Sequence, residues 1–218
     1  MAEPAGNGAR SGLLVDWGGV MTTDLFASFA AFCEAEGLEA SRLRDLFRHD
    51  RDARTLLIDL ECGRIEELEF EPKLATALGV AEHEGLIDRL FAGSSLDPAM
   101  VAALRAARAA GVRTGLLSNS WGTRRYPREL LAELFDGVVI SGEVGIRKPA
   151  PEIYALGAEA MALDPAAIVY VDDLPFNLGP AQELGMATVH HTSAQSTVPE
   201  LERLLGVELQ AGGTSNSG

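Results

Sequence analysis

Residues 13–22 read LLVDWGGVMT. Three apolar residues run into an aspartate and a glycine pair, the pattern of a short buried strand that stops at a turn. Runs at 114–117 (TGLL), 138–140 (VVI) and 168–171 (IVYV) look alike, and 187–190 (ATVH) is a weaker fifth that reads as an edge strand. Each is too short for a helix, and helix patterns lie between them. Asp97-Pro98 opens one that runs through MVAALRAARAA and stops at Gly111: an N-cap, a proline in the first turn and a terminating glycine, in order. Residues 151–161 and 176–184 read the same way. Strands alternating with helices predict an α/β protein, a parallel sheet with helices on both faces.

Residues 22–93 break the alternation, with no convincing strand. LFASFAAFCEAEG places Leu25, Phe29 and Phe32 or Cys33 at helical spacing, and Thr23-Asp24 read as its cap. RLRDLF, TLLIDLE, EELEF…LATALG and GLIDRLF suggest more helices, and Pro72 should kink or shorten one of them. The expected organisation is an α/β core from 11–21 and 94–209, a small helical domain at 22–93, and mobile tails at 1–10 and 210–218.

Composition narrows the function. A chain of 218 residues buries a core without staples, and two cysteines, Cys33 and Cys62, read as reduced packing residues rather than a disulfide framework. No apolar run reaches the roughly 18 residues of a membrane span, and the N-terminus lacks a basic-then-apolar leader, so a cytoplasmic protein is expected. A net charge of −14 disfavours nucleic acid and anionic membranes as partners.

In parallel α/β sheets, ligands sit beyond the carboxyl ends of the strands. Asp16 ends the first strand, Ser118-Asn119 follow the second, Arg147-Lys148-Pro149 lie in a loop, and Asp172-Asp173 end the fourth in VYVDDLPFN. Any one alone reads as a turn or surface residue. Together they put carboxylates, a hydroxyl and a lysine on one rim, a set suited to phosphoryl transfer on a divalent metal. Carboxylate oxygens suit magnesium, a carboxylate can be a nucleophile, and a lysine with the metal offsets charge on the transferring group.

These four segments resemble the four motifs of the haloacid dehalogenase-like (HAD) hydrolases, over nearly the whole chain. The resemblance implies a Rossmann-like core, a subclass I C1 helical cap at 22–93, and Mg2+ as cofactor. It matches Asp16 to the nucleophile, Ser118 and Asn119 with Lys148 to phosphate binding, and Asp172 and Asp173 to the acidic pair. Asp16, the Gly18 carbonyl, Asp172 and Asp173 would hold the metal, with Asn177 orienting the pair. The implied activity is hydrolysis of small phosphate monoesters through an aspartyl-phosphate, on a small phosphorylated metabolite. One position departs: most HAD phosphatases carry a second aspartate two residues after the nucleophile, as proton donor and base, where this chain has Gly18. Branches of the family share that glycine, and a lost general acid costs about 10²–10⁴-fold in rate.

Gly18 also keeps other readings open. A binding or regulatory module of the same fold would have little turnover. A haloacid dehalogenase needs no acid, but the acidic pair argues against it. Phosphonoacetaldehyde hydrolase chemistry would need a Schiff-base lysine, and Lys73, the only lysine in the insert, reads as solvated. His190 and His191 read as surface or turn residues, Arg51 and Arg54 as a solvated helix face, and His49 as a surface or packed histidine rather than a substitute acid. Trp121 reads equally as core packing or as lining the substrate mouth.

Overall fold

The computed structural model describes residues 9–209. Five strands, β1 (Gly12–Val15), β2 (Arg113–Ser118), β3 (Gly137–Ile140), β4 (Ile168–Asp172) and β5 (Ala187–His190), form one sheet in the order β3-β2-β1-β4-β5. Every pairing is parallel. The fold is α/β and Rossmann-like, as expected. Two strands run further than their apolar runs predict, β2 reaching Ser118 and β4 taking in Asp172, whereas β1 stops at Val15, so Asp16, read as the end of the first strand, lies just past it.

Strand periodicity divides the core. Leu13, Val15, Val169 and Val171 face one side, packed with residues of α6 (Pro98–Ala109) and α11 (Ala194–Leu205). Leu14, Ile168 and Tyr170 face the other, against α9 (Pro151–Ala160) and α10 (Pro175–Glu183). The cap signals of α6 operate as read: Asp97 accepts from Ala99 N–H and Met100 N–H, and Gly111 follows with φ +86°. Two short helices, α7 (Arg128–Leu134) and α8 (Ser141–Val144), flank β3 and were not legible in the sequence.

Between β1 and α6 the chain makes only helices: α1 (Leu25–Ala35), α2 (Arg42–His49), α3 (Arg51–Glu61), α4 (Glu67–Leu78) and α5 (Leu86–Phe91). They bury a cluster of their own around Phe32, Cys33, Phe70, Leu74, Leu86 and Leu90. Asp24 caps α1, accepting from Phe26 N–H and Ala27 N–H. The chain enters and leaves this segment side by side: Thr22 and Leu96 form an antiparallel bridge, and Thr23 N–H donates to the Ser95 carbonyl at 2.8 Å. Pro72 does not shorten α4, which runs through it. The missing N–H frees the carbonyl of Leu68, a residue 85% exposed, where water can replace the bond.

Cys33 and Cys62 are buried and free, as read. The expected tails at 1–8 and 210–218 lie outside the described residues. Arg10, assigned to the first tail, is instead anchored, its N–H donating to the Leu204 carbonyl at 3.0 Å. Among the described residues no helix is long and apolar enough to cross a membrane.

Candidate active site

The sheet order changes direction between β1 and β4, the topological switch point at which α/β sheets open a crevice. The register pairs Val15 with Val171, so the next residues, Asp16 and Asp172, emerge side by side. Carboxylate oxygens of Asp16, Asp172 and Asp173 lie within 4.8 Å of one another.

Lys148 binds this group together. It is 1% exposed, and its ammonium lies 2.8 Å from Asp16 Oδ2 and 2.7 Å from Asp172 Oδ2. The lysine that would read alone as a surface residue is therefore among the most buried side chains. The backbone at this position is fixed by Asn119, whose Oδ1 accepts from Lys148 N–H at 2.8 Å and whose Nδ2 donates to the Lys148 carbonyl at 3.1 Å. Asn119 thus holds the lysine loop with its side chain.

Asp172 is saturated with donors. Its carboxylate accepts from Lys148, from the Tyr170 hydroxyl, from Leu174 N–H at 2.9 Å and from Asn177 Nδ2 at 3.0 Å. Asn177 thus contacts one member of the acidic pair, Asp172. Burial alone would push the Asp172 carboxyl up, but Lys148 and these donors hold it below the usual range. Asp16 differs: burial, with Asp172 and Asp173 nearby, outweighs Lys148 and raises it to about 8. Burial and Asp172 raise Asp173 to about 6. Three carboxylates against one lysine leave a surplus of negative charge, and a divalent cation with oxygen ligands would offset it. The donor set therefore fits magnesium.

Gly19 has φ +72°, and a Cβ there would collide with the Asp173 carboxylate, so the turn after Asp16 needs this glycine. Gly18 is not among the glycines with positive φ; a Cβ on it would meet the Leu25 Cδ1 methyl at 2.6 Å. The place of a second carboxylate is thus bordered by the first residue of α1.

Ser118 is buried, with its hydroxyl 2.8 Å from the Tyr126 hydroxyl. Tyr126 carries no signal in the sequence. Tyr170 does carry one, since a residue two before Asp172 on a strand shares its face. Glu61, at the end of α3, also went unrecognised. It is 5% exposed, pairs with Arg147, and is raised by burial to about 7 against the pull of that arginine.

Asp16, Gly18, Ser118, Lys148 and Asp173 open into one cavity of about 880 Å3, which residues of α1, α2, α3 and α5 also line. Trp121 combines both of its readings, lining the cavity and packing against Phe29, Phe47, Phe70 and Phe91. Arg54 borders the cavity rather than standing on a purely solvated face, while Arg51 is exposed and away from it. His49 is exposed and is not among the lining residues, so it offers no acid. Lys73 pairs with Glu69 in solvent, 53% exposed. His190 is exposed, but His191 is buried, its Nδ1 bonded to the Thr197 hydroxyl at 2.9 Å; α11 covers it.

Over 130 residues the chain is 29% identical to bifunctional epoxide hydrolase 2 of Rattus norvegicus, a match that covers 56% of this chain and 24% of that protein. Over 123 residues it is 32% identical to glyceraldehyde 3-phosphate phosphatase of Methanopyrus kandleri, covering 55% of this chain and 51% of that one. The matched part thus spans about a quarter of the length of the first relative and about half of the second. A HAD family enzyme of Bacteroides thetaiotaomicron, solved as a magnesium complex, shares the fold with a TM-score of 0.65 at 23% identity, over 84% of this chain and 94% of that one. The family model of the haloacid dehalogenase-like hydrolases matches residues 11–185, most of the chain, and the protein belongs to that family.

Proposed function

We propose that the protein is a magnesium-dependent hydrolase of small phosphate monoesters, working in the cytoplasm through an aspartyl-phosphate on Asp16, with residues 22–93 as a C1-type cap. The carrying observation is the buried Lys148 ammonium shared between Asp16 and Asp172 beside Asp173. In this reading Asp16, Asp173 and the Gly18 carbonyl would hold magnesium directly with Asp172 beside them, and the metal would supply neutralisation of charge on the phosphoryl oxygens. Because its own oxygens are saturated, Asp172 contributes chiefly charge and the positioning of Lys148.

Asp16 attacks phosphorus as the bond to the ester oxygen breaks. The phosphoryl group passes to the Asp16 carboxylate, and the bonding pair leaves on the alcohol oxygen. Ser118, oriented by Tyr126, and Lys148, fixed by Asn119, grip the phosphoryl oxygens. Water then attacks phosphorus, releasing phosphate and restoring the Asp16 carboxylate. With Gly18 in place of an acid, the departing oxygen takes its proton from water.

Magnesium should support hydrolysis of p-nitrophenyl phosphate, and a chelator should stop it. Binding the folded state, magnesium should raise the melting temperature, and Asp173→Asn should lose most of that rise. An Asp173→Asn protein that responds like its parent would show the metal assignment to be wrong. Gly18 favours a second reading, a binding module with little turnover; a parent that binds magnesium and hydrolyses no ester would select it.

The missing acid has its own signature. In the parent, kcat/KM should fall steeply as leaving-group pKa rises. Gly18→Asp should flatten that dependence and speed alkyl esters by at least about 10-fold. Because the new side chain meets Leu25, the variant is best also made with Leu25→Ala. A shallow dependence in the parent would mean that another residue already supplies the proton.

A further inference from the structure

We propose that the alcohol released from the substrate is bulky and apolar, so that the ester is a long-chain or polycyclic alcohol monophosphate rather than a sugar or polyol phosphate. This rests on the phosphatase reading and extends it to a substrate class.

The cavity that begins at Asp16, Ser118 and Lys148 holds about 880 Å3, ample for a large organic group. Among its lining residues are Phe29, Phe47, Leu57, Phe91 and Trp121, the first four from four helices of the 22–93 segment. The aromatic members pack around Trp121 with ring centroids 5.4–5.8 Å apart, which makes a preformed surface. Beside Gly18, where the departing oxygen would look for a proton donor, stands the Leu25 methyl.

The mouth repeats the pattern. Phe26, Leu96 and Phe176 border the cavity at 49%, 40% and 61% exposure. They are three of the five exposed large hydrophobic side chains among the described residues, gathered at one opening of a chain with net charge −14. Exposed apolar side chains bordering a cavity suit an apolar ligand entering it.

A sugar would need donors and acceptors for its hydroxyls, or their desolvation would go uncompensated. Of the six cations that line the cavity, four are engaged: Lys148 with Asp16 and Asp172, Arg125 with Glu67 and Asp88, Arg147 with Glu61, and Arg54 with the carbonyls of Phe47 and Arg48, while Arg44 and Arg48 are exposed on α2. The apolar wall, in contrast, has unfilled space before it.

The test measures binding of n-butylphosphonate and n-octylphosphonate to the wild-type protein with magnesium, by calorimetry, and kcat/KM on butyl and octyl phosphate. The two alcohols are equal as leaving groups, so the absent acid cancels from their ratio. Burial of four methylenes predicts that octylphosphonate binds at least about 30-fold tighter, with kcat/KM rising in parallel. Phe26→Ser combined with Phe176→Ser, both at exposed positions, should reduce the ratio. A ratio below about 3, or glucose 6-phosphate preferred over octyl phosphate, would overturn the assignment while leaving the phosphatase reading intact. If no ester is hydrolysed, the phosphatase reading falls, and the phosphonate affinities still decide what the cavity accepts.

Discussion

Asp16→Asn should lower turnover of p-nitrophenyl phosphate by at least about 10⁴-fold, the scale on which removing a nucleophile acts. The protein should fold as before. The carboxamide keeps the shape of the carboxylate and an oxygen for Lys148, which now lies 2.8 Å from Asp16 Oδ2. It replaces a carboxyl whose ionisation burial, Asp172 and Asp173 already oppose, and Lys148 keeps Asp172 as its partner. The loss should therefore fall on kcat, with thermal stability equal to or above that of the parent. The assay needs freshly purified protein with deamidation excluded by mass spectrometry. Retained turnover in that protein would refute covalent catalysis at Asp16.

Lys148→Met should act on both activity and stability. Methionine replaces the stem of the side chain but not its charge, and two buried carboxylates lose their shared cation. Breaking a buried pair by removing one partner costs about 3–5 kcal/mol, which urea unfolding should register together with loss of turnover. The loss should be smaller in the Asp16→Asn background, where one of the two carboxylates is already neutral, so a double-mutant cycle should show coupling. A cost below about 1 kcal/mol would mean that Lys148 is not the electrostatic centre of this group.

The fold was legible because its signals are local. The apolar runs at β1, β2 and β4 are buried throughout β1 and β4 and almost throughout β2, and the Asp97-Pro98 start of α6 is capped as written. The reading failed where tertiary packing decides. Pro72 stays within α4 because the surrounding helix is held by buried Phe70, Leu74 and Leu78. His191 is buried because α11, a helix the sequence reading did not anticipate, begins three residues later and folds back over it through Thr197. The site was legible as residue types at strand ends, since sheet topology brings Asp16 and Asp172 together whatever else the chain does. What the sequence concealed was partnership. Tyr126 reaches Ser118, and Asn119 grips the loop of Lys148, through contacts between segments whose spacing in the chain has no periodicity to betray them. The same holds for the cavity, whose wall comes from four of the five helices between β1 and α6 and from Trp121 after β2.

The absence of a carboxylate at Gly18 also bears on the second half of the reaction, because the same group would activate the hydrolytic water. The covalent intermediate should therefore persist when the leaving group is good. Acid quenching of the wild-type protein during turnover of p-nitrophenyl phosphate with magnesium, followed by mass analysis of the peptide containing Asp16, tests this most directly. The account predicts one phosphoryl group on Asp16, convertible by borohydride to homoserine at that position and missing from Asp16→Asn. Turnover at the same rate with the phosphoryl group on another residue would contradict it.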